Sequence, residues 1–96
     1  MAEFIVELYV SRTEGDRVGR DERQAREAAA ELTAEGTPVR LLRSIYVPED
    51  ETCFLLYEAS SVDAVHAAAH RAALMFEHVA ETARTTSHSS PRKDVS

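Results

Sequence analysis

The run Thr52 to Ala59, Thr-Cys-Phe-Leu-Leu-Tyr-Glu-Ala, carries apolar side chains on both of its alternating faces. Phe54, Leu56 and Glu58 point one way, and Cys53, Leu55, Tyr57 and Ala59 point the other. A strand of that kind needs cover on both sides. A second β-rich run, Val39 to Val47, precedes it, and Pro48-Glu49-Asp50-Glu51 joins the two. Proline presets φ for a turn and the three carboxylates keep the tip in water, which makes the pair a β-hairpin.

The remaining elements arrange themselves around this hairpin. From Glu3 to Val10, the residues Phe4, Val6, Leu8 and Val10 form one face of a strand, and Ile5, Glu7 and Tyr9 form the other. Ser11 to Gly19 reads as a loop, since it is charged, holds two glycines and has no apolar period. From about Asp21, a plausible N-cap, to Glu35, the spacing of Ala25, Ala28, Ala29 and Leu32 predicts an amphipathic helix, which Gly36 ends and Pro38 keeps from resuming. Ser60 or Ser61 caps a second helix with Val62, Val65, Ala69, Ala72 and Ala73 on its inward stripe, ending near Leu74. Phe76 to Thr82 reads as a short edge strand. Residues 1–83 thus form one domain, and 84–96, rich in Thr, Ser and basic residues, read as a flexible tail with too little apolar surface to offset the entropy of ordering.

The predicted order is βαββαβ, an α+β fold of the ferredoxin-like type, in which right-handed crossovers place both helices on one face of a four-stranded antiparallel sheet. The other face is left open. With Phe4, Val6, Leu8, Phe54 and Leu56 assigned to the helix side, the open face is expected to carry Ile5, Glu7, Tyr9, Cys53, Leu55 and Tyr57. Burying a few apolar side chains at about 25 cal/mol per Å² is worth several kcal/mol, so two such faces are expected to meet in a homodimer, a dimeric α+β barrel.

Charge and composition exclude some functions. Seventeen acidic against eleven basic residues give a formal charge of −6, which disfavours a nucleic-acid partner. The single cysteine, Cys53, forms no internal disulfide, and no apolar run approaches the ~20 residues that span a bilayer. With no basic leader before the first strand, the expected location is cytoplasmic, with no membrane partner. Glycine-rich phosphate loops, nucleophile elbows and paired Cys-x-x-Cys clusters are absent from the sequence.

Two groups of residues carry chemistry. His66 and His70 are four apart on the second helix, hence neighbours on its surface, and two imidazoles so placed can share one divalent ion such as nickel, copper or zinc. His78 or a second subunit would supply a third ligand. The plainer reading is that both histidines flank the apolar stripe and are partly buried there. The second group is Glu7, Tyr9, Cys53 and Tyr57 on the expected open face, a candidate pocket for a small organic ligand. Glu7 would be a base if desolvated, with Tyr9 and Tyr57 donating hydrogen bonds. The preferred reading is plainer, with Cys53 a small core residue and Glu7 a carboxylate paired across a dimer with Arg40 or Arg43.

The stretch from Arg43 to Ser61 with the helix end Arg71-Ala72-Ala73-Leu74 resembles a small nickel-binding, ferredoxin-like family of actinobacteria, over about residues 3–82. The resemblance implies a dimeric ferredoxin-like fold and, for some members, bound nickel. One departure is that such members often carry glycine and proline after the second helix, where this chain has Ala73 and Met75. The leading expectation is therefore a metal-binding protein that holds or sequesters nickel. The alternative is a dimeric barrel whose inter-sheet cavity binds or transforms an organic molecule.

Overall fold

The computed structural model describes residues 1–83, so the expected tail lies outside the described residues. The elements are β1 (Ala2–Tyr9), α1 (Arg17–Ala34), β2 (Val39–Val47), β3 (Thr52–Ala59), α2 (Val62–Arg71) and β4 (Phe76–Glu81), with single 3-10 turns at Arg12–Glu14 and Pro48–Asp50. The strands lie in the order β2-β3-β1-β4, every pair antiparallel. This is the ferredoxin-like α+β arrangement, with the hairpin's second strand interior and β4 at an edge. No helix among the described residues is long and apolar enough to cross a membrane.

Helix α1 begins a turn earlier than its apolar period suggests. Asp21 is not its cap but a buried carboxylate inside it, held by Arg17 Nε at 3.3 Å and Arg20 Nε at 3.8 Å. Arg17 also donates to the Tyr9 carbonyl at 2.9 Å, tying the first turn of the helix to the end of β1. These ion pairs and the strand contact extend the helix into a stretch whose charge and glycines resemble a loop. At the start of α2 the expectation holds, since the Ser61 hydroxyl accepts from the Ala64 amide at 3.2 Å.

Both helices end in the same way. In α1 the Thr37 amide donates to the Leu32 carbonyl and Gly36 to Thr33; in α2 Leu74 donates to Ala69 and Ala73 to His70. These are the paired bonds of a Schellman ending, which needs a left-handed residue just beyond the cap. Gly36 fills that place in α1 with φ +103°, but in α2 the residue is Ala73 with φ +60°. A left-handed alanine carries a steric cost of roughly 1–2 kcal/mol that glycine escapes. Ala73→Gly is therefore expected to stabilise the chain by about 1 kcal/mol, seen as a rise in Tm of about 4–8 °C for a domain of this size. An unchanged or lower Tm would show that the loop does not hold that conformation.

The two helices pack small residues on the sheet: Ala25, Ala28 and Ala29 from α1, and Ala64, Val65, Ala68 and Ala69 from α2. Val62 and Ala73, expected on the inward stripe of α2, are instead exposed. Arg71 grips Glu35 with two hydrogen bonds of 2.7 and 3.0 Å and so joins the C-terminal ends of the helices.

The phase of β3 is opposite to the expected one. β1 places Phe4, Val6 and Leu8 under the helices, as its alternation predicts, and they pair with Tyr57, Leu55 and Cys53. Residues directly opposite in an antiparallel pair share a face. Cys53, Leu55, Tyr57 and Ala59 are accordingly core residues with no exposure, while Phe54, Leu56 and Glu58 lie on the open face. That face still carries an apolar centre, now made by Ile5, Phe54, Leu56 and the 43 % exposed Ile45.

Candidate functional site

His66 and His70 stand one turn apart on the flank of α2 nearest β4, the first half-buried and the second exposed. Both rest on the ring of Phe76, at centroid distances of 5.7 and 5.3 Å, the second edge-on at 70°. Phe76 lies opposite Leu8 and hence on the helix side of the sheet. The two imidazoles therefore do two things at once: they cover an aromatic ring at the sheet edge, and they present neighbouring nitrogen donors at the surface of one helix.

His78 does not join them. A register irregularity at Glu7/Leu8 places an extra residue in β4 between Phe76 and His78, and His78 pairs with Glu7. That pairing turns the His78 side chain to the open face, across the sheet from His66 and His70. A third ligand from His78 of the same chain is thus ruled out by the bulge, which alternation alone does not reveal. Among the described residues there is no group of three or more His, Cys, Asp and Glu close enough to hold one metal ion. A metal on these residues takes at most two side chains from one chain, and completes its shell with water or a second copy.

The expected ligand pocket is divided by the same sheet. Glu7 and Tyr9 are on the open face, but Cys53 and Tyr57 are in the core beneath the helices. Burial, aided by the carboxylates of Asp21 and Glu22, pushes the Cys53 thiol up to about 11, so it is neither a ready nucleophile nor a soft ligand. Burial also pushes the Tyr57 phenol up to about 12, and its hydroxyl has no hydrogen-bond partner among the described residues. The four residues do not converge.

The sequence does not announce a groove of about 760 Å³ between α1 and the outer edge of β2, floored by Ala29, Ala30, Val39 and Leu41. Its polar rim is already engaged. Arg26 donates to the Leu41 carbonyl at 3.0 Å and to Glu22 at 2.8 Å, and Arg40 to Glu58 at 2.9 Å. Thr33 gives its hydroxyl to the Val39 carbonyl and accepts from the Val39 amide. These side chains seal the backbone of an edge strand, a guard against unwanted strand pairing.

Residues 8–82 match the model of a family described as nickel responsive protein SCO4226-like. The chain belongs to this family. No curated protein and no solved structure matches it. The matched span runs from the end of β1 to the residue after β4, so this nickel-responsive family's region holds His66, His70 and His78 and leaves Glu7 just outside.

Proposed function

We propose that the protein binds nickel as its cargo, with His66 and His70 as the protein ligands, and serves to hold or sequester the ion in the cytoplasm. The observation that supports this most is the presence of two neighbouring imidazoles on the surface of α2 in a chain of a nickel-responsive family. Imidazole nitrogen suits nickel, and a helical i, i+4 pair offers two such donors without any rearrangement of the backbone. Phe76 supports both rings from below, which limits the rotamer freedom that binding would otherwise have to remove. The remaining coordination positions are left for water or for a second copy. The reading of an organic ligand on the open face now rests on Glu7 and Tyr9 alone.

Calorimetric titration of nickel into tag-free full-length protein carrying His88→Ala, which removes the histidine outside the described residues, tests this. His66→Ala and His70→Ala should each weaken binding by roughly 10- to 100-fold, and the double variant little further, since the two share one ion. Acidification should weaken binding as protons compete for the nitrogens. Full affinity in both single variants would place the nickel elsewhere, and a parallel loss in His78→Ala would place it on the open face.

A further inference from the structure

We propose that residues 86–90, beyond the described part of the chain, pair antiparallel with the free edge of β4 as a fifth strand, Thr86 opposite Glu81 and His88 opposite Val79. The inference depends neither on nickel nor on a second copy. It starts from a difference between the two edges of the sheet. At the β2 edge, side chains of α1 engage the main chain: the Leu41 carbonyl accepts from Arg26, and the Val39 amide and carbonyl both bond the Thr33 hydroxyl. The β4 edge has no such guard. There the Thr82 amide donates to the Glu3 carbonyl at 2.9 Å, so Ala80, two residues earlier, also turns its main chain to β1, while Val79 and Glu81 turn theirs outward. Among the described residues nothing bonds the outward amides and carbonyls of Val79 and Glu81.

An open edge is a template for a strand, and the chain supplies one close by. Strand β4 ends at Glu81, and a loop over 82–85, of a length that commonly closes a hairpin, brings Thr86 opposite Glu81. The amides of Thr86 and His88 then donate to the carbonyls of Glu81 and Val79 and their carbonyls accept in return. Pro91, which has no amide to donate, ends the run level with Phe76, where β4 itself begins. A strand added to an edge draws on main-chain hydrogen bonds, so the scarcity of apolar residues in 84–96, which bars a core, does not bar this pairing. The tether also holds the segment near the edge at an effective concentration on the order of millimolar.

Charge favours this occupant over the β4 edge of a second copy. Two such edges paired symmetrically about Val79 would set Glu77 opposite Glu81 twice. The segment beyond Ala83 carries instead Arg84, Arg92 and Lys93 against Asp94. Ala83 borders a hollow of about 600 Å³ that Glu3, Glu58 and Glu81 also line, so the next residue, Arg84, enters acidic surroundings. Arg92 follows Pro91 at the other end of the pairing, beside Glu77. Opposite the two glutamates of β4 stand Thr86 and Ser90, whose hydroxyls donate to a carboxylate and do not repel it.

Nuclear magnetic resonance of the full-length, metal-free chain decides the question. In this register Ala80 and Ser87 form a non-hydrogen-bonded pair with Cα atoms about 4.5 Å apart, so their Hα protons should show a through-space cross-peak. The amides of Val79 and Glu81 should exchange slowly with solvent. His88→Pro removes the amide that donates to the Val79 carbonyl; it should erase the cross-peak and speed exchange at Val79 and Glu81 by about tenfold or more. Ser87→Pro controls for the phase, since the Ser87 amide points to solvent and a proline there leaves both signals in place. Exchange in β3 should be the same in all three chains, which shows that the fold is intact. A parent without the Ala80–Ser87 cross-peak overturns the fifth strand, and so does exchange at Val79 and Glu81 that His88→Pro leaves unchanged. Equal losses in Ser87→Pro and His88→Pro overturn the register.

Discussion

Leu55→Asp should leave the chain unfolded under conditions in which Leu56→Asp remains folded. The two residues are neighbours on β3 and chemically identical, yet Leu55 has no exposure and lies opposite Val6 beneath the helices, while Leu56 lies opposite Ile5 on the open face. A carboxylate at Leu55 would sit among apolar side chains with no cation in reach, and it would remove one of the largest fully buried side chains of the core. The combined loss exceeds about 4 kcal/mol, a large part of the stability of a small domain, which lies toward the lower end of about 5–15 kcal/mol. At Leu56 the charge remains in water, so folding is nearly unaffected. Far-UV circular dichroism and urea unfolding of the two variants decide the matter. The reverse result, a folded Leu55→Asp and an unfolded Leu56→Asp, would mean that β3 faces the other way.

That experiment bears on the phase of β3, which the sequence left ambiguous. Strand positions, the number of helices and the connectivity follow from periodicity and turn residues, while the first turn of α1 does not. The phase of β3 does not follow from apolar alternation, because Cys53, Leu55 and Tyr57 are no less apolar than Phe54 and Leu56. The charge at Glu58 was the better guide, since it shares a face with Phe54 and Leu56 and has Arg40 opposite it on β2. A face that must accommodate a carboxylate is the one that meets water. The helix surfaces point the same way: alanines from both helices lie low on the sheet, and Tyr57 beneath them supplies bulk that their side chains lack.

The candidate sites were legible in part, for a related reason. His66 and His70 depend only on helical spacing, a local property, and the structure brings them together over Phe76. His78, Cys53 and Tyr57 depend on which face of a strand they occupy, and that is decided by a bulge in β4 and by the phase of β3. Ion pairs between distant residues were equally hidden. Asp21 reads as a cap because its partners, Arg17 and Arg20, are common on any charged helix face, and only burial distinguishes it.

Above pH 9 the chain should lose stability steeply, and the cause is two buried acids of the core. Burial, with Asp21 and Glu22 adding repulsion, holds the Cys53 thiol at about 11 against an ordinary 9.0, and burial alone holds Tyr57 at about 12 against 10.0. Both groups are neutral in the folded chain, and the unfolded chain releases its protons first. The stability they contribute is therefore fully present below pH 9, falls between 9 and 11 for Cys53, and falls between 10 and 12 for Tyr57. A rise of that size is worth about 3 kcal/mol for each group, so by pH 11 the two together remove about 4 kcal/mol. Urea unfolding at pH 8, 9.5 and 11 should follow this course. Tyr57→Phe separates the contributions: it removes a buried hydroxyl with no partner, so stability at pH 8 should rise by about 1 kcal/mol, and the loss beyond pH 10 should shrink. Cys53→Ala leaves a small cavity and should be less stable at pH 8, yet it should lose less between pH 9 and 11. A parent whose stability is level from pH 9 to 11 would mean that the thiol and the phenol are reached by water in the folded chain, and that the two helices do not close over Cys53 and Tyr57.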